Sequence, residues 1–141
     1  MKWKIISVGK PSFPWVREGV TTYLKRLQPF APVEPVQIRK NEAEGFIKAA
    51  GDALVMALDE RGESFTTADM ASRIQTWEMD RIKEIAVWIG GAEGLPDGLR
   101  ERADHCFCLG PQTLMHELAL LVWMEQLYRM YTLIQDHPYH K

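Results

Sequence analysis

Short apolar runs alternate with amphipathic stretches along this chain. The runs cover residues 3–8, 36–38, 53–58, 85–89 and 105–109. A stretch with the apolar spacing of a helix follows each run. Strands that alternate with helices form parallel sheets, because each connecting helix crosses over the sheet. The pattern therefore predicts a single α/β domain over the whole chain, with a parallel sheet and helices on both faces.

The last helical stretch, from Thr113 to about Ile134, is apolar on nearly every side. One apolar stripe contains Leu114, Met115, Leu118, Leu121 and Val122, and the other contains Trp123, Leu127, Met130, Tyr131 and Ile134. A helix of this kind is buried on more than one side. In so small a domain, one side would face the sheet and the other a second subunit. We therefore expect a symmetric homodimer that uses this helix.

Polar residues and one proline predict where three other helices begin. Asn41, with Glu44 three residues later, is typical of a helix N-terminus. Thr66 or Thr67 can cap the helix after the third run, and Pro14 suits the first turn of the first helix.

Small and polar residues follow three of the apolar runs, at 59–62, 90–94 and 110–111. In an open parallel sheet, ligands bind outside the carboxyl ends of the strands, where glycine lets a ligand approach the backbone closely. The pattern predicts a ligand site between the 90–94 loop and the 110–111 turn. The same glycines would equally suit tight turns alone.

Composition narrows the possible functions. The chain has 141 residues, a formal net charge of −2 and a pI near 6.1, which argues against broad electrostatic capture of nucleic acid. Its two cysteines, Cys106 and Cys108, lie two apart on a strand pattern, which suits neither a disulfide scaffold nor a zinc site. We therefore expect a cytoplasmic protein without a bound metal. No apolar run is long enough for a membrane span.

Several segments resemble one known family, the ribosomal large subunit methyltransferase H family. Residues 89–95 (IGGAEGL) are similar to its glycine loop, and Met115-His116 and 125–129 (EQLYR) to its long-helix signature. The ending at 137–141 (HPYHK) resembles its tail, and the start at 4–10 fits its first strand. These motifs keep the family's order and spacing over the whole chain.

The resemblance implies a SPOUT methyltransferase with an α/β trefoil knot near the C-terminus. The cofactor would be S-adenosylmethionine. The enzyme would be a cytoplasmic homodimer that methylates N3 of a pseudouridine in helix 69 of 23S rRNA, within the assembled ribosome. Two alternatives stay open. One is a SPOUT enzyme that methylates another RNA, for example at a ribose 2′-hydroxyl, and the other is a non-catalytic module that binds RNA or the ribosome.

The resemblance also implies site residues. The cofactor would be held by Leu58, Gly90, Leu109, Gly110, Pro111, Gln112, Thr113 and Leu114. The catalytic candidates are His116 in the long helix and Tyr139 and His140 in the tail, with the tail delivered by the other subunit and Lys141 contacting phosphate or the target base.

His116 and Glu93 also allow different roles. Without the family, His116 would be interpreted as a helix-starting histidine bonded to backbone, and Glu93 is another possible base. The chain departs from the family at Gly110, where serine is usual, at Met115, where proline is usual, and at Leu120, where arginine is frequent.

Overall fold

Strands and helices alternate over residues 1–140, the part of the chain that this computed structural model describes. In chain order, the elements are β1 (Lys2–Val8), α1 (Pro14–Leu27), β2 (Val33–Ile38), α2 (Ala43–Ala50), β3 (Leu54–Glu63), α3 (Thr67–Met79), β4 (Glu84–Ile89), α4 (Leu99–Arg102), β5 (His105–Phe107) and α5 (His116–Ile134). The alternation that the apolar pattern predicted is confirmed.

The strands of the described chain pair in parallel in the order β2-β1-β4-β3-β5. β4 lies at the centre, and its residues from Ile85 to Ile89 are at most 3% exposed. One core lies between the sheet and α1, α3 and α5, and a second lies under α2 and α4. The predicted α/β fold with helices on both faces is therefore confirmed, while the trefoil knot stays a prediction.

The long helix α5 packs against α1, α3 and β4. Trp123 and Leu127 of its second predicted stripe are fully buried. Leu118, Leu121 and Val122 of the first stripe are only half-buried. The core thus takes one side of the helix and leaves the other side partly open. The homodimer stays a prediction, and this half-buried side is where it would form.

The start of α5 differs from the prediction. The helix begins at His116 rather than at Thr113, because Met115 is its N-cap residue and has an extended backbone with ψ of 139°. The hydroxyl of Thr113 does not cap the helix and instead donates to Glu60 Oε2 at 2.6 Å. Residues 113–115 therefore belong to the loop that leads into the helix.

The strand β3 also differs from the prediction, because it continues through residues 59–62, which were expected to form a loop. Its register against β5 shifts between Leu58 and Glu63, so the added residues form an irregular extension. A Cβ at Gly62 would lie 2.6 Å from the backbone carbon of Phe107. Glycine is needed here because the two backbones approach so closely.

Two of the three predicted helix starts are confirmed. Thr66 caps α3 by accepting a hydrogen bond from the Asp69 amide at 3.0 Å, and Pro14 is the first residue of α1. The third is wrong in its capping residue. α2 begins at Ala43 with Glu42 as its N-cap, and Glu42 makes no side-chain cap bond.

Candidate active site

A cleft of about 910 Å³ opens where β3, β4 and β5 end and α5 begins. Seven of the eight residues predicted to hold a cofactor line it: Leu58, Gly90, Leu109, Gly110, Gln112, Thr113 and Leu114. The eighth, Pro111, lies in the exposed turn outside the lining. The three strand-end segments that the sequence singled out therefore meet at one place.

The loop after β4 closes tightly on itself. The Gly94 amide donates to the Gly91 carbonyl oxygen at 2.9 Å, and Gly94 has a positive φ of 85°. A Cβ at Gly90 would lie 2.3 Å from the carbonyl carbon of Gly94. We expected this glycine to leave space for a ligand. The structure shows instead that the backbone of its own loop takes the space.

Asn41 fastens this loop from outside. Its side-chain Nδ2 donates to the Gly94 carbonyl oxygen at 2.9 Å, and its Oδ1 accepts from the Gly91 amide at 3.3 Å. This explains why Asn41 does not cap α2, since both ends of its amide are used on the loop. The only sign of this role in the sequence is an asparagine placed just after a strand.

The loop before α5 is fixed by its conformation and by one contact. Gly110 has a φ of 150°, which side-chain-bearing residues rarely adopt. The bond from Thr113 to Glu60 ties this loop to the extension of β3. Gly110, which stands where the family usually has serine, therefore suits this backbone conformation.

Carboxylates dominate the charge of the cleft. Asp59, Glu60, Glu93 and Asp97 line it, against the cation of Arg61. Arg61 Nε donates to Asp59 Oδ1 at 2.9 Å, and this bond holds the pKa of Asp59 below its usual value. The lining thus favours a ligand that carries positive charge.

His116 lines the cleft from the first turn of α5, with its side chain 30% exposed. Its Nε2 atom lies 4.0 Å from Oε2 of the neighbouring Glu117. The alternative interpretation predicted that His116 bonds to the backbone, whereas the contact seen here is with the Glu117 carboxylate. The position supports contact between the imidazole and a ligand in the cleft.

Glu117 is a residue that the sequence reasoning missed. It is only 7% exposed, accepts from Ser12 Oγ at 2.6 Å and accepts from the Phe13 amide at 3.1 Å. Burial opposes its ionisation, but these hydrogen bonds outweigh burial and lower its pKa. Glu117 stands three residues before Leu120 and seven before Met124, a spacing that puts all three on one buried face of the helix. This spacing was the signal in the sequence that could have identified it.

The tail residues lie elsewhere in the same subunit. The Tyr139 hydroxyl donates to Glu125 Oε1 at 3.0 Å, and its ring meets that of Tyr128 at 4.7 Å between centroids. Burial, followed by hydrogen bonds with Tyr23 and Glu125, raises the pKa of Tyr139. Arg129 pairs with Glu125 one helical turn away, at 2.6 Å.

This placement separates the tail from His116. Tyr128 is twelve residues along α5 from His116, which corresponds to about 18 Å along the helix axis. His140 follows Tyr139 and has a buried Nδ1 for which the described residues offer no hydrogen-bond partner. Lys141 lies outside the described residues. One subunit therefore does not bring Tyr139 and His140 to its own cleft in this arrangement.

Over residues 1–140, no group of three or more His, Cys, Asp or Glu side chains could hold a metal ion. Within the same residues, no helix has both the length and the apolar character needed to cross a membrane.

Known proteins match nearly the whole of this chain. A family model described as "Predicted SPOUT methyltransferase" matches residues 1–140. A Thermus thermophilus protein named "Ribosomal RNA large subunit methyltransferase H" is 46% identical over 141 residues, covering 100% of this chain and 99% of the relative. A protein of the same name from Syntrophotalea carbinolica is 36% identical over 154 aligned residues, covering 99% of each chain.

A solved structure is similar in fold alone. It is a probable methylase family protein from Haemophilus influenzae, with a TM-score of 0.55 and 11% identity. The match covers 95% of this chain and 66% of that one, so this chain spans slightly less than two thirds of its length.

Proposed function

The chain belongs to the SPOUT methyltransferase family, and on this basis we propose that it methylates N3 of a pseudouridine in helix 69 of 23S rRNA. The substrate would be the assembled ribosome and the methyl donor S-adenosylmethionine. The name shared by its full-length relatives supports an rRNA of the large subunit as substrate. The observation that carries the proposal is the cleft in which three strand-end segments and His116 meet.

The cleft suits this methyl donor in shape and charge. Leu58, Leu109 and Leu114 supply apolar side chains for adenine, and the backbone of the 90–94 loop offers polar groups to its edge. S-adenosylmethionine supplies a methyl group on a positively charged sulfonium. The carboxylates of Glu60 and Glu93 favour that charge.

The remaining lining residues would serve the RNA base. His116 is on the rigid first turn of α5, so it can hold the base still or accept the N3 proton. Correct placement contributes much of the rate of such a transfer, up to effective molarities of about 10⁵–10⁸ M. The backbone contacts of the 90–94 loop keep the neighbouring wall in a fixed position.

A homodimer would complete the site. We propose that Tyr139 and His140 act in the cleft of the partner subunit, since their own cleft lies at the other end of α5. Leu118 and Val122 are half-buried, which supports an interface along this side of the helix. Glu125 and Arg129 contact Tyr139 of their own subunit here and lie on the same helix. In the dimer they would contact the partner subunit in place of their own tail.

An acidic protein needs a substrate whose shape contributes to binding. With a net charge of −2, the chain gains little from counterion release on naked RNA. We therefore propose that the ribosome positions the target and that isolated rRNA binds weakly. The protein would act in the cytoplasm, where ribosomes are assembled.

Methyl transfer from labelled S-adenosylmethionine tests the proposal. The substrates are intact ribosomes from cells without this activity, the same 23S rRNA freed of protein, and a helix 69 fragment. We expect label in 23S rRNA of intact ribosomes, at N3 of a helix 69 pseudouridine by mass spectrometry. Equal methylation of the naked fragment would contradict the ribosome requirement. A ribose 2′-O-methyl product, or binding without transfer, would replace the proposal by one of its two alternatives.

A further inference from the structure

Exposed aromatic and apolar side chains gather beside the mouth of the cleft. Four large apolar side chains of the described residues are exposed, and three belong to this region: Phe13 at 40%, Trp15 at 50% and Met115 at 40%. The Phe13 and Trp15 rings lie 5.3 Å apart between centroids, at 32°. Met115 lines the cleft, and the Phe13 amide is bonded to Glu117, two residues farther along the chain.

The segment that carries this aromatic pair is held in place. Glu117 binds both the Ser12 hydroxyl and the Phe13 amide, which fastens the segment to the first turn of α5. Arg17 Nη1 donates to the carbonyl oxygens of Pro11 at 2.6 Å and Ser12 at 3.0 Å. The rings are therefore presented on an ordered backbone, and little conformational entropy is left to lose on binding.

We propose that Phe13 and Trp15 form a platform on which an unpaired RNA base next to the target nucleotide stacks. The inference rests on the proposed function. Single-stranded bases bind aromatic side chains by stacking, and cations beside the rings hold the phosphates. Lys10, which is exposed, and Arg17, which is half-buried, stand on either side of the pair in the sequence. The platform would allow an acidic protein to bind RNA by a contact that does not depend on net charge.

The exposed area of the pair alone suits a base, whereas a second subunit would cover the pair only together with the half-buried side of α5, a case that the mass in solution separates. Two aromatic side chains of about 150–250 Å² each, half-exposed, present roughly 200 Å². A stable protein interface needs about 800 Å² on each side. A nucleobase, in contrast, needs only one ring face.

Substitutions at Trp15 distinguish a role in base stacking from a role in packing or in contact between subunits. Trp15→Phe keeps an aromatic face, Trp15→Leu keeps apolar surface without one, and Trp15→Ala removes both. Met79→Ala is the matched control, since Met79 is 82% exposed at the far end of α3. For each variant we would measure the KM for intact ribosomes, the affinity for S-adenosylmethionine, the melting temperature and the mass in solution.

We expect Trp15→Ala and Trp15→Leu to raise the KM for ribosomes about 5- to 100-fold, as for one lost stacked base, and Trp15→Phe to stay near wild type. Cofactor affinity, melting temperature and mass should not change. Rescue by leucine, an altered mass or weaker cofactor binding would overturn the platform in favour of a packing, subunit or cleft role. An unchanged KM would also overturn it. Failure of the wild type to methylate ribosomes would instead refute the proposed function.

Discussion

The side-chain amide of Asn41 spans the loop after β4, with its Nδ2 atom 2.9 Å from the Gly94 carbonyl oxygen and its Oδ1 atom 3.3 Å from the Gly91 amide. Asn41 itself follows β2, an edge strand, whereas the loop follows the central strand. The asparagine therefore fixes one wall of the cleft from a different part of the sheet.

Asn41→Ala should weaken S-adenosylmethionine binding. Two hydrogen bonds that hold the loop are lost, each worth about 1 kcal/mol, so we expect a rise of up to about 30-fold in the dissociation constant. Calorimetric titration measures it. Glu42→Ala is the control, because Glu42 makes no side-chain cap bond. An unchanged dissociation constant in folded Asn41→Ala would show that the loop does not need the clamp.

Gly90→Ala and Gly45→Ala should have opposite effects on stability. A Cβ at Gly90 meets the Gly94 backbone at 2.3 Å, so the loop must open, at a cost of about 1–3 kcal/mol in the free energy of unfolding. A Cβ at Gly45 meets Ile38 at an ordinary 3.4 Å inside α2, where alanine should add about 0.5–1 kcal/mol. Urea unfolding measures both. A neutral Gly90→Ala would mean that the loop tolerates the methyl group.

Glu117→Gln should reduce stability at neutral pH and matter less in acid. The folded-state pKa of Glu117 is below its ordinary value of 4.5. Its charge therefore stabilises the fold above that value, and the stabilisation is lost as the pH falls through the lower folded pKa. We expect a deficit of about 1–2 kcal/mol at pH 7 that narrows below pH 4.5. Urea unfolding at several pH values would measure it, and a deficit constant with pH would contradict the role of the charge.

Two inactive variants should restore activity when mixed. One carries Ala119→Phe, which fills the cleft, and the other carries Tyr139→Ala with His140→Ala, which removes the tail groups. If the tail acts in the partner's cleft, a hybrid dimer has one intact site, and random mixing should return about a quarter of wild-type ribosome methylation. No recovery from verified hybrid dimers would indicate that each tail serves its own subunit.

The sequence predicted the parts of the fold that depend on apolar patterning. The run at 85–89 became the central strand, and the buried side of α5 follows its second stripe. What it missed depends on contacts between distant segments. Thr113, which was expected to begin α5, bonds Glu60 in the loop before the helix, and Asn41 bonds the 90–94 loop instead of capping α2. Local helix signals do not reveal such competing partners.

The sequence likewise predicted only part of the candidate site. Glycines at strand ends located the cleft, because strand ends of a parallel sheet meet at one edge. Two roles could not be predicted: that of Gly90 within its own loop and that of the buried Glu117. Both depend on distances between atoms, which the spacing of residues along the sequence does not reveal.

Titration of S-adenosylmethionine into the wild type and into Ala119→Phe is the sharpest test of whether the cleft holds the cofactor. Ala119 lines the cleft from α5, so phenylalanine should fill the space for the cofactor, whereas Thr21→Phe adds the same ring at an exposed position on α1. We predict binding by the wild type and Thr21→Phe, and at least a tenfold loss, about 1.4 kcal/mol, in Ala119→Phe. Equal binding by all three folded proteins would place the cofactor elsewhere and contradict the proposed site.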